Sequence, residues 1–167
     1  EDIFLMKVSL NEMEQLVVKT IARERYNSAR SYGVVDRKVS DRSNESVDIE
    51  GVGGEFAFSK VQNTYPDLND KPGINDGEFG GWTYDVKTTP YKTGRIIVKI
   101  DAVLGNSDMY VLVTGKLPHY TVAGWCWAAD ILEDDMIGNL GRGECYIMPQ
   151  DHDKFNQLRC LPNGGKL

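Results

Sequence analysis

Histidine and cysteine are scarce in this 167-residue sequence, and their scarcity argues against several kinds of chemistry. Neither His119 nor His152 lies beside a plausible nucleophile, so a serine-histidine or cysteine-histidine hydrolase is not expected. The three cysteines are odd in number and lack Cys-x-x-Cys spacing, which argues against a disulfide framework. Buried, inert thiols are expected at Cys126, Cys145 and Cys160, and a zinc site that includes His152 is the alternative.

Long hydrophobic segments are also absent. The sequence contains no run of about 18 apolar residues, which is the length that a membrane-spanning helix needs. The first residues show no basic-then-apolar signal pattern, so we expect a cytoplasmic protein without a membrane partner. The length suits one domain with a normal core. We predict an N-terminal helix and basic loop in residues 1–45, the core in 46–135, and an irregular, partly helical extension in 136–167.

Positive charge is in deficit overall but concentrated near the N-terminus. The net charge of −6 is unfavourable for a protein that binds nucleic acid by neutralising phosphates. Residues 19–42 nevertheless carry seven basic and three acidic side chains, a net +4, whereas residues 43–78 carry two and eight, a net −6. Because the local field steers a substrate more than total charge does, the basic segment is the predicted phosphate-facing edge. A solvated helix face is the alternative. The candidate phosphate contacts are Arg23, Arg30, Arg37 and Lys38.

Two helices are predicted in the first third of the chain. Ser9 and Glu12 form a Ser-x-x-Glu capping box for a helix over residues 9–31. Residues 40–50 are polar and predict a flexible loop, followed by a helix over residues 50–63. Glu55 is then expected near the N-terminus of that helix, where negative charge is favoured. The apolar stripe of the first helix consists of Leu10, Met13, Leu16, Val17, Ile21 and Ala22.

A β-hairpin is predicted around Gly80–Gly81, because a glycine pair supplies the positive φ angles of a two-residue turn. With that turn, Asp76 falls opposite Asp85, and opposed Cβ atoms lie roughly 4.5–5.5 Å apart. Side chains alternate along a strand, so Lys87 shares a face with Asp85 while Val86 points the other way. A register slip of one residue would separate the two carboxylates.

The remaining pattern predicts further strands. Residues 95–100 and 109–114 are rich in β-branched residues and are expected to form central strands covered on both faces. A further strand is predicted over 121–128, a helical turn over 129–132 and a short helix over 151–158. These elements indicate a mixed α/β (α+β) fold with a central mixed sheet flanked by helices.

The carboxylates of Asp76 and Asp85 point to metal chemistry. Two carboxylates this close repel each other unless one is protonated or a cation lies between them. Mg²⁺ prefers oxygen ligands, whereas zinc favours nitrogen and sulfur. Lys87 is placed to orient a water or to stabilise charge on a phosphate, and Thr88 is a further candidate phosphate contact. The alternative is a surface hairpin whose charged side chains are merely solvated.

This combination resembles the PD-(D/E)XK nuclease superfamily, which has the restriction-endonuclease-like fold. The matching residues are Glu55 on a helix, Asp76 on the first hairpin strand, and Asp85-Val86-Lys87 on the second. The sequence departs from the name-giving motif in having Asn75 where proline stands and Asp rather than Glu before the x-Lys pair. The resemblance covers residues 45–135. Within the superfamily, the chain looks most like small bacterial or phage nucleases.

The resemblance implies a DNA-cleaving enzyme that depends on Mg²⁺, for which Mn²⁺ can substitute, in a bacterial or phage-infected cell. Asp76, Asp85 and the Val86 carbonyl would ligate the ion, and Glu55 would bind a second ion or a water. Lys87 would position the attacking water. A homodimer is one way in which a single small domain could cut both strands.

Two other functions fit the sequence. One is a noncatalytic module of the same fold that binds nucleic acid or protein. The other is a glycosidase-like hydrolase with paired carboxylates in an aromatic cleft, for which Trp82 and Tyr84 are candidate lining residues. Dependence on a metal ion would separate the nuclease from the glycosidase.

Overall fold

A five-stranded mixed sheet forms the centre of the molecule, and helices pack on it. The computed structural model describes residues 5–31, 44–69, 73, 75–158 and 161–162. The predicted mixed α/β (α+β) class, with a central mixed sheet flanked by helices, is confirmed. The elements are β1 (Met6–Ser9), α1 (Glu12–Ser31), α2 (Asn44–Gln62), β2 (Gly77–Phe79), β3 (Trp82–Thr89), β4 (Ile96–Lys99), β5 (Met109–Lys116), β6 (His119–Trp127), α3 (Ala128–Ile131), β7 (Ile137–Asn139) and β8 (Glu144–Met148).

The central sheet has the strand order β1-β6-β5-β3-β2, and a smaller sheet has the order β4-β8-β7. Strands β3 and β5 are parallel, and every other pair is antiparallel. Residues 109–114 of β5 are all buried, which confirms the predicted central strand. The same prediction is wrong for β4, because it lies in the smaller sheet and alternates between buried and exposed residues.

Hydrophobic clusters lie on both faces of the central sheet. One joins α1 and α2 to the sheet through buried residues such as Val18, Phe58 and Val111. The other joins the sheet to β4 and β8 through residues such as Val98, Leu112 and Met148. No helix in the described part of the chain is long and apolar enough to cross a membrane.

The first helix begins later than the sequence pattern predicts. Ser9 belongs to β1, which pairs with β6, so it does not cap the helix. The capping box is instead formed by Asn11 and Glu14, each of which accepts the other's backbone N–H through its side chain at 2.9 Å. The predicted stripe is partly wrong, since Met13 is 68% exposed and Leu16 is also exposed. Val18, which the prediction omitted, is buried against the second helix and the sheet.

The second helix begins earlier than predicted. Residues 44–50, expected to be loop, form the first turns of α2. Glu55 therefore lies in the body of the helix, and the prediction that it complements a helix N-terminus is wrong. Gly53 and Gly54 are accommodated because side chains of the sheet fill the space of their missing Cβ atoms: Tyr120 lies at Gly53 and Thr88 at Gly54.

The C-terminal extension is more ordered than its composition predicts. Strands β7 and β8 lie within residues 136–167, which were expected to be irregular. The helix predicted over 151–158 is absent from these described residues, which form turns. The backbone of Asn156 instead bonds in both directions with Trp125 of β6, at 3.0 and 2.7 Å. This long-range pairing satisfies backbone groups that a helix would have paired locally.

Candidate functional site

The β2–β3 hairpin forms in the predicted register. Gly80 and Gly81 form its turn with φ angles of 57° and 85°, which L-amino acids with side chains rarely adopt. The antiparallel pairs are Gly77–Tyr84, Glu78–Thr83 and Phe79–Trp82. The predicted register is therefore confirmed up to Gly77, the first residue of β2.

The predicted pairing of Asp76 with Asp85 differs in detail, because the regular ladder ends at Gly77 and does not include Asp76. Its backbone N–H donates to the Tyr84 carbonyl at 2.9 Å, so Asp76 is not the ladder partner of Asp85. Its side chain takes over that pairing, since Oδ2 of Asp76 accepts the N–H of Val86 at 2.6 Å. From Asp85 to Thr89, β3 pairs with β5 alone among the described strands, and the Asp76 carboxyl lies along its other side, here called the open edge.

Asp85 and Lys87 lie on one face of β3, as the strand alternation predicts. The Nζ atom of Lys87 lies 2.6 Å from Oδ2 of Asp85 and 5.7 Å from the centre of the Tyr110 ring. Val86 points to the other face and is buried in the core. Because the N–H and C=O of one strand residue point to the same side, the Val86 carbonyl faces the open edge beside Asp76.

Helix α2 brings Glu55 to this edge. The helix lies on β3 through an edge-to-face contact of Phe58 with Tyr84, with ring centroids 4.9 Å apart. It also approaches β3 closely at Gly54, where Thr88 occupies the space that a Cβ atom would need. The packing positions Glu55 close enough to both aspartates for the three carboxyl groups to affect one another.

Arg25 of α1 is part of the site, although it is not among the residues predicted for it. Its Nη1 atom donates to Oε2 of Glu55 at 2.8 Å. Its Nε and Nη2 atoms donate to the backbone carbonyls of Asn69 and Asp67 at 2.9 and 3.0 Å. Arg25 therefore ties Glu55 to the loop after α2. The sequence marked Arg25 only as one of several basic residues in its segment, and nothing local distinguishes it from Arg23.

Two of the carboxyl groups, those of Asp76 and Glu55, have raised pKa values. Burial, the negative charge of Glu55, and the hydrogen bond and charge of Asp85 raise the pKa of Asp76 to about 10. Burial also raises the pKa of Glu55, against the opposing charge and hydrogen bond of Arg25. Asp76 thus carries a proton at neutral pH in the metal-free cluster. A bound cation would relieve the same repulsion that this proton relieves.

The donor set fits a hard cation only in part. Two adjoining carboxyl groups, Asp76 and Asp85, and the Val86 carbonyl provide the oxygen ligands that Mg²⁺ prefers. Glu55 adjoins them but is paired with Arg25, while Asp85 is paired with Lys87. Among the described residues, no three His, Cys, Asp or Glu side chains are arranged to hold a metal ion together.

Two of the five residues predicted to contact phosphate, Arg23 and Thr88, have described side chains. Arg23 is exposed on α1. Arg30 lies in α1 without a described side chain, and Arg37 and Lys38 lie outside the described residues. Thr88 faces α2, and its buried hydroxyl has no hydrogen-bond partner among the described residues, so it does not present that hydroxyl to a phosphate.

One expectation about the histidines is wrong. Pairing of β1 with β6 brings Ser9 opposite His119, and Ser9 Oγ lies 2.9 Å from His119 Nδ1. The pair is exposed, and no described carboxylate bonds to the other ring nitrogen, so the third member of a catalytic triad is missing.

Cys126 is buried as expected, and burial and the charge of Asp130 raise its pKa to about 12. Cys160 lies outside the described residues.

Comparison with known proteins places the chain in a family without assigning an activity. No curated protein and no solved structure matches it. A family of unknown function, DUF5843, matches residues 6–116, which is more than half of the chain. The matched segment extends from β1 to the end of β5 and includes α1, α2 and the hairpin that carry the candidate site. The chain therefore belongs to the DUF5843 family of unknown function.

Proposed function

We propose that this protein is a Mg²⁺-dependent deoxyribonuclease, cutting DNA internally or from an end. The observation that carries the proposal is the cluster of Glu55, Asp76 and Asp85 at the open edge of β3, with Lys87 beside it. A cluster that raises the pKa of one member to about 10 is costly to fold, and a cation-binding site explains that cost. We propose the cytoplasm of a bacterial or phage-infected cell as its compartment.

The residues of the cluster have separate proposed roles. Asp76, Asp85 and the Val86 carbonyl would hold the ion, and loss of the Asp76 proton would accompany its binding. When bound, Mg²⁺ supplies positive charge to the phosphate and lowers the pKa of a coordinated water. Lys87 would orient the attacking water and offset charge on the phosphate oxygens. Glu55 would hold that water or a second ion.

Arg25 has a positioning role in this proposal. Its fork holds Glu55 on one side and two loop carbonyls on the other, so the orientation of Glu55 depends on α1. Arg25 also offsets the negative charge of Glu55 in the absence of metal. Arg23, exposed on the same helix, is the described candidate for a phosphate contact.

The test is cleavage of supercoiled, linear duplex and single-stranded DNA with Mg²⁺, Mn²⁺ or a chelator. We expect metal-dependent cleavage that Asp85→Asn and Lys87→Gln each reduce at least 100-fold, a fall of about 3 kcal/mol in transition-state stabilisation. Asp101→Asn is the matched control for Asp85→Asn, because Asp101 is an exposed acid after β4 and lies outside the cluster. Double-strand breaks without a nicked intermediate would indicate a homodimer.

The second candidate function is a noncatalytic module that binds nucleic acid or protein. The ion pairs Arg25–Glu55 and Lys87–Asp85 favour it, because they neutralise two carboxylates without any metal. An inactive wild type under all of these conditions, or variants that cut as well as the wild type, would reject the nuclease and make this module the leading candidate.

A further inference from the structure

A cavity of about 250 Å³ opens beside the carboxylate cluster. It lies between the loop that follows α2 and the β2–β3 hairpin. Asp76 lines this cavity and also belongs to the cluster. Anything bound in the cavity would therefore lie next to one of the residues that are proposed to hold the metal ion.

The lining of the cavity is acidic and neutral, with no arginine or lysine among the described residues that form it. Phosphate is therefore disfavoured inside it. Asn75 and Glu78 offer amide and carboxylate oxygens, which accept hydrogen bonds. Such a lining suits a flat, uncharged group with N–H donors on its edge, as adenine, guanine and cytosine have.

Tyr65 adds an aromatic surface to the rim. It lines the cavity and is 83% exposed, the highest value among the described large hydrophobic side chains that are exposed. A single exposed aromatic residue is ordinary on a protein surface. An exposed ring that lines an acceptor-rich cavity beside a candidate nuclease site is suited to stack on a base, and every base has a π face.

We propose that this cavity binds an unpaired nucleobase of single-stranded DNA, stacked on Tyr65, adjacent to the scissile phosphate. This inference rests on the proposed nuclease function and adds its substrate class. A base within a duplex is paired and stacked, so it cannot enter such a cavity unless it is extruded. The protein should accordingly prefer single-stranded DNA, ends or flaps to intact duplex.

The experiment is a fluorescence-anisotropy titration of a labelled single-stranded oligonucleotide in chelator, where the proposed cleavage cannot occur. We expect Tyr65→Ala to weaken binding about 5- to 100-fold and Tyr65→Phe to bind like the wild type, because the ring carries the stacking. Tyr91→Ala is the matched control, since Tyr91 is 60% exposed and does not line the cavity. An oligonucleotide of abasic sites should bind wild type and Tyr65→Ala equally.

Equal affinities of the wild type and Tyr65→Ala for the oligonucleotide would overturn the base site. It would also be overturned if Tyr91→Ala weakened binding as much as Tyr65→Ala does, or if Tyr65→Ala weakened binding of the abasic oligonucleotide to the same extent. Failure of the wild type to bind the oligonucleotide would also overturn it. The two proposals fail separately. Metal-dependent cleavage with a Tyr65→Ala variant that binds normally retains the nuclease and rejects the base site. Tyr65-dependent binding without cleavage under any condition retains the base site and rejects the nuclease.

Discussion

Replacing Gly54 by alanine tests the close contact that positions Glu55. A Cβ atom added at Gly54 would fall on Oγ1 of Thr88 and within 3.0 Å of its Cβ and Cγ2 atoms. Rotating Thr88 about χ1 moves Oγ1 and Cγ2 but not Cβ, so the contact cannot be relieved completely. Helix α2 must then move away from β3, and Glu55 moves with it. Gly51 is the matched control, because an added Cβ there meets nothing within 4 Å.

The two substitutions share one gain and differ in one cost. Glycine in the body of a helix is less favourable than alanine by about 1 kcal/mol, so Gly51→Ala should stabilise the protein by roughly 0.5–1 kcal/mol. Gly54→Ala has the same gain but adds an overpacking cost of about 1–3 kcal/mol. The free energies of unfolding of the two variants should therefore differ by about 1–3 kcal/mol, with Gly51→Ala the more stable.

Urea denaturation followed by circular dichroism measures this difference. In the double variant Gly54→Ala/Thr88→Ala, the loss of Oγ1 and Cγ2 should restore part of the stability, with a coupling energy above about 0.5 kcal/mol. Thr88→Ala alone should cost little, because no described group hydrogen-bonds to its buried hydroxyl. If Gly54→Ala is as stable as Gly51→Ala, or the double-mutant cycle shows no coupling, the proposed contact between α2 and β3 is wrong.

Two further predictions concern the carboxylate cluster. The pKa of Asp76 is about 10 in the folded state, far above its unfolded value. The unfolded state therefore binds fewer protons between roughly pH 4 and 10. As the pH rises through this range, the free energy of unfolding of the metal-free protein should fall by about 1.4 kcal/mol per pH unit because of Asp76, and Asp76→Asn should lack this fall. Urea titrations at pH 6, 7 and 8 check this, and parallel slopes for the two proteins would contradict it. Arg25→Lys should destabilise the protein by about 1–3 kcal/mol, because lysine cannot make the three hydrogen bonds of the Arg25 guanidinium. The control Arg23→Lys, at an exposed position, should change stability by less than about 0.5 kcal/mol. Equal effects of the two substitutions in thermal melts would rule out this role of Arg25.

Local patterns predicted the hairpin well. The Gly80–Gly81 pair sets a two-residue turn, and that turn determines every pair down to Gly77. Alternation along β3 then places Lys87 beside Asp85, at 2.6 Å. Both results depend on backbone sterics over a few residues, which the sequence contains directly.

Local patterns failed where a distant segment competes for the same residues. Ser9 has the spacing of a helix cap, but β6 pairs with it, and Asn11 caps the helix instead. The polar residues before Glu50 read as a loop, yet they form the first turns of α2. A weak local preference is easily outweighed by a ladder of hydrogen bonds or by burial against a sheet.

The sequence alone determined the fold class, the hairpin register and the shared face of Asp85 and Lys87, because these depend on residue types at short spacing. Only the tertiary structure decided that Arg25 holds Glu55, that the Asp76 carboxyl replaces a ladder bond to Val86, and that Thr88 faces inward. Arg25 and Glu55 are 30 residues apart. Their contact depends on how two helices pack on one sheet, and packing is a property of the whole core.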